Sequence, residues 1–383
     1  MTGDSEASQE VRCSPPPTRY KGSYASDRDT AGVYPDDLNP IIETYFEESA
    51  PGVIAGVWQN GMSIYMRAEG LSNVNEKRKR LATDRFEIAS LAKEFTAVAI
   101  MQLVERDQLS LNDTVGRFFP NLAWGGKVTI SHLLSHTSGL GNRTYSESYT
   151  INSPFDPEQA LDQLSDASLA FEPGTDYLYS NAGMTLLALI TEEVTGVSRE
   201  AYLKGNVLGP AGMKETQFFW ELSARERDLF SVGYFVSAGD VTLLPLRMHP
   251  TASYGSGDLV STMSDLRRWH VALKSGTLIS PESFSLMIEP VRLGNGEMSQ
   301  RGLAFMVGTV AGEKVIYNSG DIYTHTRHAF LAHRDLSVIV NTNVDVDGNF
   351  DVAGRVRDQI IGKLMDSETM NMYGTAINVS NDY

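Results

Sequence analysis

The sequence predicts a mixed α/β protein of the α+β type: an antiparallel β-sheet flanked by helices, with a mostly helical inserted domain. Three observations carry that expectation. A hairpin pattern sits near the start, helical segments broken by Gly and Pro turns fill the middle, and short β-rich segments return late. At 383 residues, 42% hydrophobic and 21% charged, the chain is long enough for two domains with a full core.

Residues 1–34 are polar, contain Pro15-Pro16-Pro17, and read as a flexible tail. Order is expected from about Pro35, where Leu38, Ile41, Ile42 and Tyr45 share one helical face. Gly52–Trp58 and Ser63–Glu69 read as strands joined at Gln59-Asn60-Gly61, because Asn-Gly tolerates positive φ. Phe86–Ala89 is strand-like and gives way to Ser90–Glu105, which is apolar on most sides and therefore expected between layers. From about 110 to 250 the pattern is mostly helical, with a Phe171–Thr175 turn ahead of a helix over Ala182–Val194. Ala304–Val310, Glu313–Tyr317, His328–Ala332 and Leu336–Thr342 predict an antiparallel meander. Amphipathic Arg355–Leu364 predicts a closing helix. The expected organisation is a discontinuous sheet domain (35–110 and 255–366), a helical domain (111–254) and a C-terminal tail (367–383), with the ligand site in the cleft between the two domains.

A balance of 32 basic and 48 acidic residues gives a formal charge of −16, which argues against a non-specific hold on nucleic acid or anionic membrane. Cys13 is the one cysteine, so no intrachain disulfide and no cysteine-based metal or redox site can form. No metal and no cofactor is expected. No run of 18 apolar residues could span a membrane. The start, Met1-Thr2-Gly3-Asp4-Ser5-Glu6, lacks the basic and apolar regions of a secretory signal, so a cytoplasmic protein is the simplest expectation. Oligomeric state is not addressed by any of these features.

Chemistry concentrates at Ser90-Leu91-Ala92-Lys93. Residues at i and i+3 share a helical face, so the lysine amine can reach the serine hydroxyl. Serine needs an adjacent base to attack, and a lysine with its ordinary pKa of about 10.4 is protonated at neutral pH. A desolvated pocket must lower that value by about 3 units, at a cost of about 4 kcal/mol. The motif alone is weak, since a surface helix carries both residues freely. A second signal is Tyr179-Ser180-Asn181. Alternate residues of an extended turn point the same way, so the phenol can relay protons and the amide can orient a lysine or a substrate amide. Asn181 can equally be the N-cap of the next helix.

Four segments, in order, resemble the serine β-lactamase and penicillin-binding protein superfamily. They are Phe86-Glu-Ile-Ala-Ser-Leu-Ala-Lys93 with its continuation to Ala97, Leu133-Leu-Ser-His-Thr-Ser-Gly-Leu140, Phe171–Thr175 running into Tyr179–Gly183, and Tyr254–Thr262. Within that superfamily the chain is most similar to class C β-lactamase-like serine hydrolases, which include esterases, D-aminopeptidases and acyltransferases. The resemblance runs from about Pro51 to Asn343 and implies a β-lactamase/transpeptidase-like fold. It implies Ser90 as acyl-accepting nucleophile, Lys93 as base, Tyr179 as proton shuttle and Asn181 as the residue orienting Lys93 and substrate. The Ser90 N–H at a helix start would form half of an oxyanion hole. His136 is expected to be a hydrogen-bonded structural residue.

The family's third motif, Lys-Thr-Gly or His-x-Gly, is replaced by Asn318-Ser319-Gly320, followed by Asp321. These four residues are expected beside the substrate, with the Asp321 N–H completing the oxyanion hole. Asn318 cannot attract a substrate carboxylate, which favours ester or amide hydrolysis or acyl transfer over β-lactamase or D,D-peptidase activity. The Asp321 carboxylate would repel an anion and favour an amine, as in a D-aminopeptidase. His325 and Arg327 are candidates to return positive charge to the cleft, as is His328, although strand alternation can aim only some of them inward. The expected partner is a small ester, amide or peptide-like substrate, selected by loops such as Arg143–Tyr149 and Gln217–Trp220. A catalytically inactive, ligand-binding relative is the non-enzymatic alternative.

Overall fold

Early and late strands share one sheet, the early hairpin adding to the edge of the late meander. The computed structural model describes residues 35–141, 155–237, 240–244, 253–346 and 351–365; the expected tails and the Arg143–Tyr149 loop lie outside them. Strands β1 (Val53–Gln59) and β2 (Met62–Glu69) form the expected hairpin. Its turn residues Asn60 and Gly61 have φ of 49° and 77°, the two left-handed positions that a tight two-residue hairpin requires. Strands β3 (Met306–Val310), β4 (Glu313–Asp321), β5 (His325–Leu331) and β6 (Leu336–Thr342) form the meander. The sheet order is β3-β4-β5-β6-β1-β2, with β6 antiparallel to β1 from Val53↔Thr342 to Gln59↔Leu336.

Every residue of β5 and β6 is buried, because helices cover both faces of the sheet. On one face lie α1 (Asn39–Tyr45) and the closing helix α6 (Val352–Met365), joined where the Gln359 amide donates to Tyr45 Oη at 2.8 Å. On the other lies α2 (Ala92–Glu105), buried without interruption from Ala92 to Leu103. Phe95 of α2 stacks on Trp269 of α5 (Met263–Lys274) with ring centres 4.0 Å apart. Helices α3 (Ile130–Leu134) and α4 (Asn181–Thr195) pack beyond α2. One apolar core takes in Phe86, Leu103, Leu133, Leu187, Phe330 and Ile339, so it runs from the sheet through the helices.

The stretch expected to be helical also holds strands, at Gln217–Phe218, Tyr234–Ser237 and Asp240–Leu243. Tyr234–Ser237 pairs in parallel with Val344–Val346, just beyond β6, and Gln217–Phe218 pairs with Leu259–Ser261. Strands this short, completed by partners far along the chain, leave little period-two signal of their own. Among the described residues no helix is long and apolar enough to cross a membrane.

Candidate active site

Ser90 is presented by a sharp strand-to-helix turn. Phe86–Glu87 pairs with Leu259–Ser261, the Ile88 N–H donates to the Leu259 carbonyl at 3.0 Å, and Ala89 then adopts φ 44°. A left-handed alanine is uncommon and costs energy that surrounding structure must offset. A short 3₁₀ turn over Ala89–Leu91 leads into α2, so Ser90 sits at the start of the helix rather than inside it. Strand β4 closes tightly against this turn. A Cβ at Gly320 would lie 2.0 Å from the Ile88 carbonyl oxygen, so only glycine allows the approach.

Three side chains converge. Ser90 Oγ lies 2.9 Å from Lys93 Nζ and 2.8 Å from the Tyr179 hydroxyl. Lys93 is 3% exposed, and its Nζ also donates to the Ser256 carbonyl at 2.8 Å. Burial first, and the Arg301 guanidinium second, hold the Lys93 amine well below its ordinary pKa, with Asp258 opposing them. A neutral amine so placed can donate one N–H to Ser256 and turn its lone pair to the Ser90 hydroxyl. Lys93 Nζ also lies 4.8 Å from the centre of the Tyr179 ring.

Asn181 is the first residue of α4, and the cap is its neighbour: Ser180 Oγ accepts the Gly183 N–H at 3.0 Å. The Ser180 N–H in turn donates to His136 Nδ1 at 3.3 Å, and the His136 ring lies 4.8 Å from that of Tyr179. Burial, reinforced by Arg301 and Lys93, pushes His136 well below its ordinary pKa. A neutral ring accepting a backbone hydrogen bond anchors the Tyr179–Asn181 turn.

The third-motif segment divides between two faces. Asn318 is buried and donates its amide to the Ala304 carbonyl at 2.9 Å, while its carbonyl oxygen accepts the Ser319 N–H. In the β4–β5 register Ser319 faces Arg327 and Asp321 faces His325. Arg327 donates to Asp321 at 2.7 Å and to Asp351 at 3.0 Å, and His325 Nδ1 lies 2.7 Å from Asp321. Burial alone would raise the Asp321 carboxyl, but Arg327 and His325 outweigh it and hold it at about 2. Its charge is therefore compensated beside α6, and the expected attraction of a substrate amine to a bare Asp321 anion loses its basis. Arg327 and His325 are likewise committed to Asp321 rather than presented as loose cations. His328 lies on the opposite face, 2.7 Å from Glu94 and 2.7 Å from His270, behind α2.

Sequence reasoning missed Ala89, Ser256, Asp258 and Arg301. The first three fall inside segments that carried the resemblance, so the signal was present. Arg301 stands in an unremarkable polar stretch, Glu297–Arg301, and only tertiary structure brings it to Tyr179. Among the described residues no cluster of His, Cys, Asp and Glu could hold a metal ion.

The sequence profile of the family described as Beta-lactamase matches residues 38–362. The chain belongs to the Beta-lactamase family. Its fold is correspondingly β-lactamase/transpeptidase-like. Among relatives, the family member is 31% identical over 337 residues to Penicillin-binding protein 4* of Bacillus subtilis (strain 168), covering 82% of this chain and 73% of that one. It is 33% identical over 205 residues to Esterase EstB of Burkholderia gladioli, covering 49% of this chain but only 51% of the esterase. A D-amino acid amidase from Ochrobactrum anthropi SV3 superposes with a TM-score of 0.74 at 18% identity, over 88% of this chain and all of that one; at that identity the match speaks for the fold alone.

Proposed function

We propose that this Beta-lactamase family member is a serine hydrolase or acyltransferase that opens an ester or amide through an acyl-enzyme on Ser90. The observation that carries this reading is Ser90 Oγ held between Lys93 Nζ and the Tyr179 hydroxyl, at 2.9 and 2.8 Å. The neutral Lys93 amine takes the Ser90 proton as Oγ attacks the carbonyl carbon. Tyr179 relays that proton from Lys93 to the departing alcohol or amine, so both groups return to their starting state. Backbone N–H groups of Ser90 and Asp321 receive the oxyanion, and Asn181, with the Asn318–Gly320 edge of β4, orients the substrate. Water then frees the acid, or a second alcohol or amine takes the acyl group; either path restores the Ser90 hydroxyl. The esterase and penicillin-binding protein names among the relatives support acyl chemistry without choosing a substrate.

Mass spectrometry after exposure to a fluorophosphonate or an activated ester tests the assignment. The expected result is one adduct, on Ser90, and loss of ester turnover in Ser90→Ala. Labelling elsewhere with Ser90 unmodified, or equal turnover by parent and Ser90→Ala, would sink it.

A further inference from the structure

We propose that Arg301 is a positioning residue for this chemistry: it clamps the Tyr179 ring and supplies the cation of the Ser90–Lys93 site that Asn318 cannot. The proposal rests on the serine-nucleophile reading above. Arg301 lies just ahead of β3, with its guanidinium 5.3 Å from the Tyr177 ring centre and 5.5 Å from that of Tyr179. A guanidinium over an aromatic face is attracted by the ring quadrupole, more so when partly desolvated, and Arg301 is half-buried. Among the described residues no carboxylate lies within ion-pair distance of it. Its charge is thus left to act on the site.

The segment carrying Arg301 is held firmly. Its N–H donates to Ser299 Oγ at 3.2 Å, and its carbonyl accepts the Ser299 hydroxyl at 2.6 Å and the Val291 N–H at 3.0 Å. Three residues on, the Ala304 carbonyl receives the Asn318 amide. The amide standing where a cation is usual therefore fixes the segment that brings a cation from elsewhere. The groups around Lys93 are Tyr179 ahead of α4, neutral His136 after α3, Asp258 ahead of the Leu259–Ser261 strand, and Arg301. Glu87 lies on the preceding strand, Glu94 turns away to His328 and Trp269, and Asp321 on β4 is compensated by Arg327. Arg301 adds to burial in lowering the Lys93 pKa.

The test is the pH dependence of kcat/KM for a neutral p-nitrophenyl ester. In Arg301→Gln the acid limb moves to higher pH, so that on the limb kcat/KM falls about tenfold further than on the plateau. Arg301→Lys restores the limb, and Arg225→Gln, an exposed arginine on the Ala224–Asp228 helix, leaves it in place. A purely structural role would lower the whole profile without moving the limb, and that result overturns the proposal. If fluorophosphonate labels Ser90 and the limb stays put in Arg301→Gln, only this inference fails. If Ser90 is not labelled in the parent, the underlying reading fails and takes this one with it.

Discussion

Arg199 grips both carboxylate oxygens of Asp258, at 2.7 and 3.2 Å, with both side chains essentially buried. Asp258 also accepts the Gly255 N–H at 2.9 Å, so the pair fixes the turn whose Ser256 carbonyl receives Lys93 Nζ. Removing one partner strands a buried charge. Asp258→Ala is expected to lose about 3–5 kcal/mol of stability, read by urea unfolding; a loss below about 1 kcal/mol would show that the pair is not buried as described.

Lys93 is held well below its ordinary pKa of 10.5 by burial and then by Arg301. Between the folded value and 10.5 the folded protein binds fewer protons here than the unfolded chain, so this group's contribution improves as pH rises through that window. Lys93→Met removes the penalty along with the base. Ester turnover should drop about 10²–10⁴-fold while the melting temperature at pH 7 rises. The gain should shrink toward pH 10. A lower melting temperature at pH 7 would contradict this account of Lys93.

Asp321 behaves oppositely. Its carboxyl drops from 3.8 to about 2 in the fold, which at about 1.36 kcal/mol per pKa unit is worth about 2 kcal/mol. A depressed carboxyl stabilises above its unfolded value, and the contribution disappears as pH falls through the range from about 4 to about 2. Denaturant titrations at pH 3 and pH 6 should show this loss in the parent and little of it in Asp321→Asn. Equal pH sensitivity in both would remove Asp321 from the explanation.

Gly320→Ala places a Cβ at 2.0 Å from the Ile88 carbonyl oxygen. Either β4 or the Ser90 turn must move, at about 1–3 kcal/mol, and a displacement near 1 Å at the reacting groups costs on the order of 10²-fold in rate. Turnover should fall on the order of 10²-fold in a variant that still folds. A variant with parental kcat would show that the β4 approach does not set the geometry at Ser90.

Much of this was readable in advance because local rules and tertiary packing agree. Asn60-Gly61 demanded a tight hairpin, Leu336–Thr342 was apolar enough for a buried strand, and Ser90 and Lys93 shared a helical face wherever the helix lay. The third-motif segment was not readable to the same degree. Whether Arg327 faces the cleft or α6 follows from its pairing opposite Ser319 and from Asp351 at the head of α6, a residue 24 positions away. The short strand at 234–237, on which 240–243 in turn pairs, depends similarly on Val344–Val346. Arg301 lay outside every motif, and its meeting with Tyr179 is purely tertiary.

The sheet order also bears on how the chain reaches this state. Strand β1, near the start, is sandwiched between β2 and the late strand β6, and the Gly52 N–H donates to an Asn343 side chain 291 positions away. Such closure has a large loop entropy to overcome, and contacts this distant in sequence slow folding. During synthesis the β1 edge must wait, unpaired on one side, until a segment 291 positions further on has emerged. The hairpin then exposes a strand edge open to wrong partners, so Ser90 and Lys93 would be brought to order late, when β6 docks and β4 comes down on the Ile88 turn.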